Sequence, residues 1–149
     1  MPNTFSQLLI HVVFSVKDRK PFLNDKIQNE IYKYFVGIGN NHNFKLISAG
    51  GTVDHVHILL SLKPDLKLSK CLQLIKGGSS KWIHDNFLEM KSFSWQVGYA
   101  AFSVSKSQEN IVKNYIIKQK EHHKKISFEE EYRKLLKLNN INYEEKYLF

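Results

Sequence analysis

Apolar and polar positions fall into blocks whose period switches between two and about 3.6 along the chain. Residues 4 to 16 are rich in β-branched and aromatic side chains and run into a polar, basic link, Lys17-Asp18-Arg19-Lys20-Pro21, which predicts a first strand and a loop. From Asn24 to about Ile38, Ile27, Ile31, Tyr34, Phe35 and Ile38 recur at helical spacing, with Asn24 placed to cap. Residues 43 to 49 and 53 to 62 are short β-type runs joined by Gly50-Gly51-Thr52, a natural hairpin connection. A second helical period covers residues 68 to 87, softened by Gly77-Gly78. Trp95 to Ser105 reads as a fourth strand and Ser107 to His123 as a helix, which Ser105-Lys106-Ser107-Gln108 would open as a capping box. A last helix is expected from about Ser127 to Leu138. The order βαββαβ followed by helices predicts an α+β, ferredoxin-like fold, an antiparallel sheet with two helices on one face.

Length and charge narrow this picture. At 149 residues and 42% hydrophobic content, residues 1–149 are expected to form one domain with a real core. Twenty-two Lys and Arg against fourteen Asp and Glu leave a net charge of +8, which points to a polyanionic partner. Residues 127 to 149 are slightly acidic, so the positive excess lies upstream. The only cysteine, Cys71, sits in a helical pattern and has no intrachain partner for a disulfide. With no secretory signal pattern and no apolar run near the roughly 20 residues needed to span a bilayer, a cytoplasmic protein without membrane contact is expected.

The chemistry concentrates in two places. His55 and His57 lie at i and i+2 of a predicted strand, so both project from one face, close enough to share a divalent ion. An isolated H-x-H is only a moderately specific signal. Tyr115 and Gln119 are one helical turn apart, and His122 falls on the same stripe, while Val112 and Ile116 point aside as core contacts. Together these residues suggest a metal site, an amide ligand and a phenol nucleophile. Imidazole and amide ligands suit Mn²⁺, Co²⁺ or Zn²⁺, whereas Mg²⁺ would need water and phosphate oxygens to complete its shell. For phosphate contacts the candidates are Arg19 in the basic loop, Lys76, Ser79 and Lys81 in the segment Lys76-Gly77-Gly78-Ser79-Ser80-Lys81, and Lys118 beside the tyrosine. His123 reads as structural or exposed, and His11, His42 and His84 show no partner pattern.

The stretches HVVFSVKDRKPFL, AGGTVDHVHILLSL, LIKGGSSKWIHDNF, FSWQVGYAAFSVS, NYIIKQKEHH and FEEEYRKLL with INYEEKYLF resemble the single-tyrosine HUH transposases of the insertion-sequence-200-like group, including their repeat-associated relatives. The resemblance implies a ferredoxin-like catalytic domain, working as a homodimer on single-stranded DNA hairpins, that cuts and rejoins strands through a 5′-phosphotyrosine with Mg²⁺ or Mn²⁺. It further implies that His55 and His57 are the HUH histidines, Tyr115 the nucleophile and Gln119 the residue completing the metal site, with active sites that two subunits can share. Three alternatives are weighed beside it: a domesticated repeat-processing endonuclease of the same chemistry, a non-catalytic single-strand binding module, and a zinc hydrolase using H-x-H.

Overall fold

The computed structural model describes residues 3–149. Four strands, β1 (Leu8–Ser15), β2 (Lys45–Gly51), β3 (His55–Leu62) and β4 (Ala100–Val104), form one sheet in the order β2-β3-β1-β4. Every neighbouring pair is antiparallel, and this order together with the βαββαβ sequence is the expected ferredoxin-like arrangement. The helices are α1 (Asp25–Asn41), α2 (Leu68–Asn86), α3 (Glu109–Ile117), the single turn α4 (Gln119–His122) and α5 (Phe128–Leu138). Asn24 caps α1 as its sequence position suggests, accepting a hydrogen bond from the Ile27 amide at 3.0 Å. Ser127 caps α5 through the Glu130 amide.

Strand alternation sorts the sheet into two different faces. Val12 and Phe14 of β1 and Val56, Ile58 and Leu60 of β3 point to the side covered by α1 and α2, where they meet Ile31, Phe35, Leu72 and Ile75 in the main core. The intervening residues point the other way. There, Leu9 and Leu59 pack under Ile116 of α3, and Val13, Ala100 and Phe102 pack under Phe128, Tyr132 and Leu136 of α5. His11, His55 and His57 belong to this second face, and all three are buried.

Glycines set two close approaches. A Cβ at Gly50 would stand 2.1 Å from the Ile116 carbonyl oxygen, so α3 reaches β2 only because that side chain is missing. On the opposite face, a Cβ at Gly78 would come within 3.2 Å of Ile38 Cδ1, so one of the two glycines that soften α2 also lets it lie close to α1. The helix continues through Gly77-Gly78 without a break.

Three expectations are corrected. The fourth strand is shorter than Trp95–Ser105, because Gly98 adopts φ 87° and turns the chain; Trp95 makes only an isolated bridge to Val16. Ser105 does not cap the next helix: its Oγ lies 3.1 Å from Ser107 Oγ, and a short 3₁₀ turn over Lys106–Gln108 precedes α3. The helix predicted through His123 stops at Ile117, is interrupted at Lys118 with φ −92° and ψ 23°, and resumes as α4. Gly50→Ala should lower stability by about 1–3 kcal/mol, the usual scale for overpacking a tight contact; a melting temperature equal to wild type would contradict the close seating of α3 on β2.

Candidate metal centre

The centre lies on the second sheet face, at the seam between the apolar patch under α3 and the one under α5. It starts from His55 and His57 on β3, whose side chains meet residues brought by α4, by the turn after it and by α5. Gln119 stands on α4, His123 immediately follows, and Glu131 comes from the first turns of α5. His55, His57, His123 and Glu131 each offer one ligand atom, and all four atoms lie within 4.8 Å of one another.

The outer nitrogen of each ring explains where the inner one points. His55 Nδ1 lies 2.8 Å from Asp54 Oδ1, a carboxylate that only accepts, so the ring proton sits there and the Nε2 lone pair turns inward. His123 Nδ1 likewise donates to the Ile126 carbonyl at 2.9 Å. His57 Nδ1 meets His11 Nε2 at 2.9 Å, leaving its Nε2 at 3.0 Å from Glu131 Oε1. Gln119 is oriented by its own amide, which donates to the Tyr115 carbonyl at 3.2 Å; its Oε1 therefore faces His55 Nε2 at 3.2 Å and His123 Nε2 at 3.0 Å. Glu131 Oε1 stands 3.0 Å from His123 Nε2 and 3.7 Å from His55 Nε2. Imidazole lone pairs, a carboxylate oxygen and an amide oxygen thus converge on one buried point. This donor set fits a divalent cation, and the acceptors behind each ring are the supports that hold metal-binding imidazoles in place.

Burial and mutual interaction shift the groups in different directions. Burial lowers His57 to about 4 and His11 to about 3, so both rings are neutral at physiological pH. Burial opposes charge on His123 as well, but the hydrogen bond and charge of Glu131, with the Ile126 carbonyl and Asp54, together exceed that cost and hold its pKa above the ordinary value. Burial would raise the Glu131 carboxyl, yet hydrogen bonds from His123 and His57 hold it far below the usual carboxylate range.

Tyr115 borders the centre. Its hydroxyl donates to Glu131 Oε2, and His122 Nε2 lies 3.4 Å from the phenol oxygen and 3.3 Å from the same carboxylate oxygen. The Tyr115 and His57 rings are 5.7 Å apart. Burial, reinforced by the bond to Glu131, raises the phenol well above its ordinary pKa. On its outer side Tyr115 opens onto a cleft of about 550 Å³, shared with Asn114, Lys118, His122, Lys124 and Lys125. None of these three lysines forms an ion pair among the described residues.

The structure brings His55, His57, Tyr115, Gln119 and His122 together. The other phosphate candidates have different neighbours. Ser79 is fully buried and accepts a hydrogen bond from Trp95 Nε1 at 2.9 Å, which leaves no access to a phosphate. Lys76 Nζ donates to the Gln96 and Gly98 carbonyls, both at 2.7 Å, and burial lowers its pKa to about 8. Arg19 pairs with Glu129 and lies over the Phe149 ring. Lys81 pairs on the surface with Asp85. Lys118 alone of the five faces the tyrosine cleft. Three members of the centre escaped sequence reading. His11 is joined to His57 by strand pairing, Glu131 arrives from a helix sixteen residues past Tyr115, and His123 is turned inward only because the helix is interrupted at Lys118.

The fold and the buried histidine cluster define an α+β domain with a candidate metal centre, and sequence comparison identifies its family. The pattern of the family described as transposase IS200 like matches residues 4–119, and the chain belongs to that family. It is 26% identical over 119 residues to the transposase for insertion sequence element IS200 of Salmonella typhimurium, covering 76% of this chain and 78% of that one. It is 24% identical over 115 residues to the ISDra2 transposase TnpA of Deinococcus radiodurans, covering 74% and 82%. Among solved structures, a REP-associated tyrosine transposase bound to a REP hairpin superposes with a TM-score of 0.57 at 14% identity, over 76% of this chain and 67% of that one. His123 and Glu131 lie beyond the residues that the family pattern matches. Among the described residues no helix is long and apolar enough to cross a membrane.

The depressed histidines carry a signed pH dependence. His11 and His57 titrate lower when folded than the ordinary 6.5, so the unfolded chain binds more protons below that pH, and their stabilising contribution is lost as pH falls toward about 4 and about 3. Glu131 adds to the loss below its ordinary carboxylate value, whereas His123 acts in the opposite direction as pH rises. In the presence of chelator, the melting temperature should therefore fall steadily from pH 7 to pH 4.5. A flat profile would contradict the buried neutral pair.

Proposed function

We propose that this transposase-family protein cleaves and rejoins single-stranded DNA at hairpin-flanked sites by transesterification, with Tyr115 as nucleophile. The observation that carries the reading is the convergence of His55, His57, His123, Gln119 and Glu131 on one point next to the Tyr115 hydroxyl. Family membership supports the same reading, and a fold-level relative bound to a REP hairpin suggests the kind of DNA to try first.

In this scheme His55, His57, His123 and Glu131 hold a divalent ion, with the Gln119 oxygen as a further donor; Mn²⁺ or Mg²⁺ is the working choice, and the imidazole-rich set favours Mn²⁺. When bound, such an ion polarises a phosphoryl oxygen and stabilises negative charge developing on the leaving group. The protein's own groups do the rest. The Tyr115 oxygen attacks phosphorus, the bond from phosphorus to the 3′ oxygen breaks, and the 5′ phosphate becomes esterified to the tyrosine. The phenol proton is balanced by the proton that the departing 3′ oxygen acquires, and Glu131 Oε2 and His122 Nε2 are the groups within reach of it. Reversal by a free 3′ hydroxyl rejoins the strands without ATP, because one phosphodiester replaces another. Lys118, Lys124 and Lys125 supply positive charge for phosphates flanking the scissile one. The homodimer implied by the family resemblance enters the proposal as two such sites.

Incubation with single-stranded hairpin oligonucleotides labelled on the 3′ side of the cut should give a covalent protein–DNA band on denaturing gels with Mn²⁺. The band should vanish with chelator and in Tyr115→Phe, while DNA binding persists in that variant. An adduct that survives Tyr115→Phe would move the nucleophile elsewhere, and absence of any adduct across a broad hairpin library would overturn the reading.

A further inference from the structure

The cleft on the outer side of Tyr115 is built from one short stretch of chain. Ile111, Asn114, Tyr115 and Lys118 stand at i, i+3, i+4 and i+7, which places them on one stripe of α3 and the residue that ends it. Glu121 and His122 come from α4, and Lys124 and Lys125 from the turn that follows. At about 550 Å³ the space falls within the range of roughly 300–1,000 Å³ that takes a small-molecule-sized group, enough for one nucleotide.

The lining divides by chemistry. Ile111, 62% exposed one turn before the tyrosine, offers an apolar surface of the kind on which the face of a base rests. Three lysines supply charge for phosphates. Among them stands one carboxylate, Glu121, which forms no ion pair among the described residues although the lysines line the same cleft. A carboxylate is out of place where only phosphates bind, because the two repel. It has a use where a base enters, since it accepts hydrogen bonds from donors on the base edge. Asn114, exposed and lining the same cleft, brings an amide that donates as well as accepts.

Of the four DNA bases, guanine alone presents two adjacent donors on one edge, N1–H and the 2-amino group, which match the two oxygens of a carboxylate; beside them O6 is an acceptor for an amide N–H. We propose that the cleft is a guanine subsite for the strand that Tyr115 attacks. Glu121 accepts from N1–H and the 2-amino group, the Asn114 amide donates to O6, the base face rests on Ile111, and Lys118, Lys124 and Lys125 hold the flanking phosphates. The proposal rests on the reading that single-stranded DNA enters at Tyr115, and adds to it a selection of base by the protein itself.

Fluorescence anisotropy with labelled oligothymidylates that carry one central guanine, inosine, adenine or cytosine tests this, at fixed ionic strength and with chelator present so that binding is read without cleavage. The wild-type protein should bind the guanine probe about five-fold or more tightly than the inosine probe, which lacks only the 2-amino group, and than the adenine and cytosine probes. In Glu121→Ala that advantage should disappear, while the inosine and all-thymine probes bind at least as well as before because a negative charge has left the cleft. Their retained binding also shows that the variant is folded. Asn114→Ala should weaken the guanine and inosine probes alike, since both keep O6. Equal binding of guanine and inosine probes by the wild-type protein, an advantage that survives Glu121→Ala, or failure of every probe to bind would overturn the subsite. Guanine discrimination without any covalent adduct on hairpin DNA would leave the subsite standing and sink the cleavage reading, whereas an adduct without discrimination would do the reverse.

Discussion

The polar partner at the Nδ1 of each inward-facing histidine is the constraint on which the site depends. Asp54, His11 and the Ile126 carbonyl each take the outer face of one ring. With the outer nitrogens held in this way, the three Nε2 atoms turn toward the same point as Glu131 Oε1 and Gln119 Oε1. Without a cation, a ring proton must fill the gap between His57 or His123 and Glu131, and a buried polar group left without a partner costs about 1–3 kcal/mol. The arrangement is therefore poorly suited to be a mere polar inclusion in a core and well suited to bind a positive ion.

The sheet makes that crowding tolerable by placing it between two apolar supports. Ile116 with Leu9 and Leu59 closes one side, and Phe128, Tyr132 and Leu136 over Val13, Ala100 and Phe102 close the other. The main core on the opposite face is independent of the site, so stability and chemistry draw on different side chains of the same strands. Period-two alternation along β1 and β3 performs this division: His11, His55 and His57 face the chemistry, and Val12, Val56 and Ile58 face the core. Tyr115 joins the two functions, since its helix belongs to one apolar support while its hydroxyl reaches the carboxylate carried by the other.

Much of this was legible in the chain because it depends on local periodicity. The strand spacing of His55 and His57, the Asn24 cap and the start of the last helix near Ser127 follow from short stretches of regular geometry, and Tyr115 and Gln119 stay on one side despite the interruption at Lys118. What was not legible depends on tertiary contact or a broken period. His11 matters because strand pairing brings Nε2 to His57, and Glu131 because α5 folds back over the sheet; neither leaves a short-range signal. His123 was read as structural by continuing one helix through Lys118, where the backbone in fact departs from helical angles. The Lys76–Lys81 segment misled in the other direction. Its small residues answer packing needs, Gly78 against Ile38 and Ser79 against Trp95, and the charge of Lys76 is spent on two backbone carbonyls.

The central claim is that the histidine and glutamate cluster binds one divalent ion. Titration of Mn²⁺ into chelator-stripped protein, followed by electron paramagnetic resonance of the free ion, tests it without requiring DNA or catalysis. The account predicts saturable uptake of one ion per chain that is lost in His57→Ala. Uptake that is absent in the wild-type protein, or unchanged by His57→Ala, would contradict it.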